Sequence, residues 1–248
     1  VDRENTVAYY YQVAETLKAR IESQQYPPGE LLPSDRDLAR AFGVSNITIR
    51  RAMSLLVSQG LVVRRRGVGT RVLPLEDSRI PLKITGNFKD WVDSALSRSQ
   101  KLAVTVLGTE TTACPQRVAK QLQRTPGSDI WRMQRVRSLK SEPISYYINY
   151  VPPGLLRDVA PMDFVKRRFI EVFQQKSGIA IVRIEQQVEA TCADMDVAGV
   201  LEVDFGAPLF FITNIYSDSR GAPVEVTHMY FRGDRYIYKN ITSIDDAS

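Results

Sequence analysis

Six arginines, at positions 50, 51, 64, 65, 66 and 71, lie in a stretch that contains no acidic residue. Each guanidinium is a planar fork that fits phosphate oxygens or the edge of a guanine. Asn46 stands just ahead of them, and its amide suits the edge of an adenine. A second pair, Arg135 and Arg137 in IWRMQRVRSL, is spaced by two, so on a strand both project from one face and can hold a single carboxylate or phosphate. Covalent or metal chemistry has less support. His228 is the one histidine, and it has no Ser or Cys neighbour in any motif. Cys114 and Cys192, 78 residues apart, form neither a ligand pair nor a disulfide pattern. No paired carboxylates, metal triad or Gly-rich phosphate loop stands out, so no cofactor or metal is expected. An enzyme is a remote reading.

The arginines need elements to aim them. Tyr10, Val13, Ala14, Leu17 and Ile21 share one face of a helix within residues 7–25, and YPPGELLP interrupts it. Ser34, followed three residues later by Asp37, resembles a capping box opening a helix Asp35–Phe42, with Leu38, Ala39 and Phe42 inward. Gly43 ends that helix. Ser45 then caps a third, to about Gln59, that packs through Ile49, Met53, Leu56 and Val57. LVVRRRGVGTRV reads as strand, Gly-X-Gly turn and returning strand. Two short helices across a glycine turn, followed by a basic hairpin, are a helix-turn-helix with a wing.

Arg50 faces away from the packing side, towards a guanine or a phosphate. Ser45 is divided between capping and phosphate, and Thr48 lies near enough to the helix start to touch either backbone or base. Arg51 is either a phosphate contact or solvated. Arg64, Arg65 and Arg66 alternate faces, so not all three reach one ligand. For Arg65 and Arg66 a solvated or core-covering role stands beside the DNA role. Asn46 either reads adenine or extends the cap.

From Tyr10 to Val72, through LPSDRDLA, the Val-Ser turn, TIRRAM and GVGT, the chain resembles the winged helix-turn-helix of the GntR-type bacterial transcriptional regulators. That resemblance implies a homodimer on an inverted repeat of double-stranded DNA, a repressor more often than an activator. It also implies that Arg50 is a principal DNA contact, that Arg36 approaches the operator, and that Gly69 is the wing-tip glycine. Asn46 sits where many members have arginine.

Behind a joint at residues 74–86, LPLEDSRIPLKITG and its surroundings give way to a strand-dominated segment. FKDWVDSALSRS reads as a helix, KLAVTVLGTE as a strand, and CPQRVAKQLQ as a short helix opening at Pro115. A hairpin of two long strands turns around Lys140–Pro143. FIEVFQQKSG is helical, IVRIEQQVEATC a strand, and ADMDVAGVLEV helical. A last hairpin, closed by DSRGAP, runs on to Tyr238. The whole is α+β: a winged helix-turn-helix over 1–73, then an antiparallel-sheet domain over 87–248.

RVRSLKSEPISYYINYVPP and RGAPVEVTHMYFRGDRYIY, in their order, resemble the UTRA effector-binding domain of the HutC subfamily, whose fold is like that of chorismate lyase. The resemblance spans Phe88 to Tyr238. It implies that Arg135 and Arg137 hold a phosphate or carboxylate of the effector, that main-chain amides at Asn87 and Phe88 help, and that Glu225 accepts hydrogen bonds. Exposed basic edge and sheet ion pair are the plainer alternatives for the arginines and for Glu225. Tyr147 stands where relatives often have glutamate and Phe231 where tyrosine is frequent, which favours a less hydroxylated acid over a sugar phosphate.

Net charge is +5, yet residues 1–78 carry 11 basic against 9 acidic side chains, so placement matters more than total. With 44% hydrophobic residues, no run long enough to span a bilayer and no signal-like start, the expectation is a cytoplasmic protein without membrane contact. Its rival is a constitutive DNA-binding protein whose back domain only dimerises.

Overall fold

The computed structural model describes residues 7–65, 67–74, 79–82, 102–156 and 159–239. The chain divides into two compact units, Val1–Asp77 and Ser78–Ser248. The helix read at residues 88–99 lies outside the described residues.

In the first unit α1 (Tyr9–Glu22), α2 (Asp35–Phe42) and α3 (Asn46–Ser58) enclose one core. Val13, Ala14, Leu17 and Ile21 meet Leu38, Ile49, Ala52, Met53 and Leu56 there, all buried, with Tyr10, Ala39 and Phe42 packed at its margin. Val57 is not part of it. It is 43% exposed, because Ala52 and Leu56 already fill the inward stripe and residue 57 falls one step beyond it. Ser34 caps α2 by accepting from Asp37 N, and Gly43 leaves it in the left-handed region at φ 65°. Strands β1 (Val62–Arg65) and β2 (Gly69–Val72) pair antiparallel, Arg65 opposite Gly69. The chain ahead of α2 adds to β2: Leu31 bridges Arg71, and Leu32 N donates to Thr70 O at 2.8 Å. The wing is thereby tied to the helices at its base.

The second unit is built on a six-stranded antiparallel sheet. Its strands are β4 (Leu102–Ala113), β5 (Asp129–Leu139), β6 (Glu142–Val151), β7 (Arg183–Cys192), β8 (Pro208–Ser217) and β9 (Pro223–Arg232), in the order β4-β5-β6-β9-β8-β7. The two-residue turn between β5 and β6 puts Lys140 and Ser141 at φ 50° and 70°, the primed geometry that suits a twisted hairpin. Helices α4 (Gln116–Gln121) and α7 (Met195–Leu201) cover one face through Val118, Ala119, Val197 and Leu201. Helices α5 (Asp163–Lys166) and α6 (Phe169–Ser177) cover part of the other through Phe164, Phe169, Val172 and Phe173.

The second unit departs from the sequence reading at its first strand and after its last hairpin. Ile80–Leu82, expected within the flexible joint, is a strand, β3, and it pairs in parallel with β10 (Tyr236–Tyr238). The last hairpin does not run on to Tyr238, because β9 stops at Arg232 and the chain turns. Gly233 makes that corner possible, since a Cβ there would lie 2.9 Å from Pro208 O.

Candidate nucleic-acid interface and effector site

Helix α3 begins with a cap that occupies its own hydroxyls. Ser45 Oγ accepts from Thr48 N at 3.2 Å and shares a hydrogen bond with Thr48 Oγ1 at 2.9 Å. Asn46 is exposed beside this cap, with Arg50 and Arg51 exposed on the following turn. The free amide of Asn46 and the forks of Arg50 and Arg51 therefore share the solvent side of a helix N-terminus, where the backbone N–H groups also favour phosphate. Ile47, not singled out from sequence, is 66% exposed on the same turn. A β-branched residue left in water at such a place can touch a thymine methyl.

The two arginines of β1 have unequal surroundings. Arg64 turns back to Asp35 at the start of α2 and forms an ion pair, whereas Arg65 is exposed. Arg66 lies outside the described residues. Gly69 begins β2 at φ 116°. Arg71 donates to Gly29 O and so fastens the wing base to the loop before α2. Arg36 is exposed on the first turn of α2.

In the second unit the period of two brings the expected residues to one face. Arg135 is buried and reaches Asn149 Oδ1 with Nη2 at 2.9 Å. Asn149 Nδ2 donates to Glu225 Oε1 and to Thr227 Oγ1, both at 2.8 Å, and Thr227 Oγ1 donates to Glu225 Oε1. Arg135 and Arg137 both lie over the Tyr147 ring, their Cζ atoms 5.9 Å and 4.7 Å from its centroid, and Arg135 also lies 5.5 Å over Phe169. Phe231 meets Tyr147 edge-on at 5.7 Å. Farther along, Gln186 donates to Asn214 at 2.8 Å and Asn214 to Tyr216 at 3.0 Å. A polar belt thus crosses the sheet between apolar clusters. Asn87 and Phe88 lie outside the described residues.

Burial sets the electrostatics of this belt. Desolvation, with the like charge of Arg137 nearby, lowers Arg135 to about 10. Glu225 is pushed up to about 8 by burial, against the opposing effect of its Thr227 and Asn149 hydrogen bonds and of Arg135. Arg135 Nε is buried without a hydrogen-bond partner. An orphan N–H on a desolvated cation, beside a second cation and a largely neutral acid, suits an added anion oxygen.

Arg132 belongs to the opposite face and pairs with Glu110. His228 is on that face too, between Phe211 and Tyr150 at 5.1 Å and 5.3 Å, with Nε2 3.3 Å from Gln121 Oε1. Burial lowers its pKa to about 4. Among the described residues no group of three or more His, Cys, Asp and Glu side chains could hold a metal. No helix there is long and apolar enough to cross a membrane. Sequence reasoning missed Asn149 and Thr227, although each lies two residues from one it chose, Tyr147 and Glu225.

A winged helix-turn-helix followed by a sheet with a buried cationic belt defines a DNA-binding regulator with an effector domain. Residues 9–72 match the bacterial regulatory proteins of the gntR family, and residues 97–237 match the UTRA domain. The HTH-type transcriptional regulator GgaR of Escherichia coli (strain K12) is 30% identical over 92% of this chain and 89% of its own. The HTH-type transcriptional repressor NagR of Bacillus subtilis (strain 168) is 27% identical over 96% of each. The crystal structure of PhnF from Mycobacterium smegmatis superposes with a TM-score of 0.53 at 21% identity, covering 94% of this chain and 100% of that one. The chain belongs to the GntR family of bacterial transcriptional regulators and carries a C-terminal UTRA domain; it is a regulator, not an enzyme.

Proposed function

We propose that this chain is a cytoplasmic, homodimeric repressor of the HutC subfamily, released from an inverted-repeat operator by a small anionic metabolite. The observation that carries the effector half is the buried Arg135, with its unpartnered Nε, beside Arg137 over one tyrosine ring. Such a surface favours a carboxylate or phosphate. With Tyr147 and Phe231 supplying rings around it, and Glu225 largely neutral, it favours a body with few hydroxyls over a sugar. The repressor assignment draws on NagR, which is named a repressor. It also follows from the simplest use of a DNA-bound dimer, which is occupancy of the operator.

For the DNA half, Arg50 and Asn46 read bases. Arg36, Arg51, Arg65 and Arg66 contact backbone, Ser45 and Thr48 present the capped helix end to a phosphate, and Gly69 lets the wing tip approach the groove. Residues 1–73 bind DNA, and 87–248 bind effector and dimerise. The joint over 74–86 is interrupted by β3.

Native mass spectrometry of the freshly isolated protein, followed by band-shift titration with the retained compound, tests the reading. A retained anion that weakens operator binding supports it. Operator binding indifferent to a broad set of carboxylates and phosphates would favour a constitutive DNA-binding protein whose second domain only dimerises.

A further inference from the structure

The outward face of α3 has an apolar residue at its centre. Successive side chains on a helix are turned by about 100°, and Ile49, Ala52, Met53 and Leu56 all point into the core of the first unit. Ile47 lies nearly opposite the middle of that stripe, on the line that Arg50 and Arg51 continue one turn later. It is 66% exposed, and Arg50, Arg51 and Ser54 on the same face are exposed with it. Ser54 turns its hydroxyl back to Arg50 O at 3.0 Å and so uses its donor within the helix. Asn46 stands one residue to the side, next to the hydroxyl pair of Ser45 and Thr48. The centre of this face is therefore a hydrocarbon flanked by two guanidinium forks.

Exposure alone says little, since scattered apolar side chains occur on any protein surface. Place says more. Isoleucine serves a helix less well than alanine, leucine or the long charged residues, because its branched β-carbon restricts χ1. The same restriction makes it a good gauge. One χ1 well holds about 90% of helical isoleucines, so the two arms of the side chain are fixed before any contact is made. In a major groove the base edges are donors and acceptors, and the one apolar group among them is the C5 methyl of thymine. An isoleucine laid over a donor or acceptor desolvates it with nothing in return. Laid over the methyl, it removes apolar area from water on both sides.

We infer that Ile47 is a specificity-determining residue that reads the C5 methyl of an operator pyrimidine, thymine in ordinary DNA and 5-methylcytosine where cytosine is methylated. This rests on the reading of α3 as the helix that enters the major groove. Consecutive Cα atoms are about 3.8 Å apart and consecutive base pairs about 3.4 Å, so Ile47 addresses the pair read by Asn46 or the one beside it. An adenine held by the Asn46 amide has thymine as its partner, and the two side chains together then specify both bases of one A·T pair. Methylation of a cytosine at the place Ile47 reads raises operator affinity, which makes the regulator responsive to DNA modification.

The experiment uses the full chain, an operator selected from random DNA by the unmodified protein, and fluorescence anisotropy. Each thymine of that operator is replaced in turn by deoxyuridine, which removes the methyl and leaves the pairing edge unchanged. At one position the unmodified protein should lose about fourfold in affinity, the equivalent of about 0.8 kcal/mol for one buried carbon group. Ile47→Ala, an exposed change towards a better helix former, should keep the parent's melting temperature and bind the operator more weakly. In that variant the same deoxyuridine should have almost no effect, because both changes delete one contact. Ile47→Val keeps the branched β-carbon and should retain part of the methyl effect. With cytosine at that position, a C5 methyl should raise affinity by a similar factor in the unmodified protein and not in Ile47→Ala. An operator indifferent to every deoxyuridine replacement overturns the inference, as does a methyl effect of full size in Ile47→Ala. A 5-methylcytosine no better than cytosine overturns the response to methylated DNA. Arg50→Ala distinguishes these failures from failure of the underlying reading. If it weakens specific binding, α3 still reads DNA and Ile47 alone loses its role; if it leaves specific affinity unchanged, the assignment of α3 to the groove falls, and Ile47 with it.

Discussion

Arg135 and Glu225 are joined through Asn149, whose amide oxygen accepts from the guanidinium while its NH2 donates to the carboxyl group and to Thr227. Asparagine is suited to this place because it offers an acceptor and two donors on one short side chain. Asn149→Leu would leave a buried cation and a buried acid without these partners. The expected loss is about 2–4 kcal/mol of unfolding free energy. Urea denaturation of parent and variant checks it; a variant within 1 kcal/mol of the parent, taking about 1 kcal/mol as the net worth of one ordinary hydrogen bond, would show the relay to be energetically idle.

Glu225 gives the fold a pH dependence of definite sign. Its folded pKa, about 8, lies above the ordinary value of 4.5, so the folded state holds a proton that the unfolded chain releases. The stabilising contribution is complete below pH 4.5, falls as pH rises through 8 and levels off above it. The slope in that window approaches about 1.4 kcal/mol per pH unit. Glu225→Gln should flatten this part of the stability profile and gain relative to the parent at pH 9. Melting temperatures across pH 5–9, roughly the window set by these two pKa values, measure the effect.

His228 works in the opposite direction. Its pKa falls from 6.5 to about 4 on folding, so the fold prefers the neutral ring. Stability from this group is present above pH 6.5 and is lost as pH falls through 4, to a limit of about 3 kcal/mol. His228→Phe keeps the ring contacts with Phe211 and Tyr150 and should remove that acid sensitivity. Chemical denaturation at pH 7, above the titration window, and at pH 4.5, near its lower end, distinguishes the two proteins.

On the DNA side, Arg50→Ala should cost about 1–3 kcal/mol of specific affinity and relax the sequence preference at one base pair. Asn46→Arg should leave binding intact but exchange an adenine preference for a guanine preference at its position. Selection from random DNA with each variant reads both outcomes. An unchanged selected sequence for Asn46→Arg would mean that residue 46 reads no base.

Arg64 and Arg65 should separate in a salt titration. Arg65 is exposed, and Arg65→Ala should lower the slope of log affinity against log salt by about 1. Arg64 is paired with Asp35 at the start of α2, so Arg64→Ala should leave the slope nearly unchanged and loosen the wing instead. Equal slope changes in the two variants would contradict the pairing.

Much of this architecture is legible along the chain because it depends on local rules. Ser34 and Ser45 mark helix starts by supplying an acceptor for an otherwise unpaired N–H, and Gly43 marks a stop. Alternation places Arg135 and Arg137 on one face of their strand before any coordinate is known, and strand register then brings Tyr147, Glu225 and Phe231 to that face. The misreadings share a different cause. β3 is three residues long, has Pro81 at its centre, and forms only by parallel pairing with a segment more than 150 residues later. No local period announces such a partner. Val57 obeys helical spacing as well as its neighbours do, yet the core already had its fill.

By itself, then, the sequence determined most of the elements and most of their sidedness, since side-chain direction repeats with backbone geometry. Tertiary structure decided which of those side chains are partnered. It gave Arg64 to Asp35 and left Arg65 in solvent. It inserted Asn149 between Arg135 and Glu225, and laid β3 against the rings beneath the arginines. Partners distant in the chain meet only when the sheet closes, and burial then shifts their charges, so no window of residues contains that information.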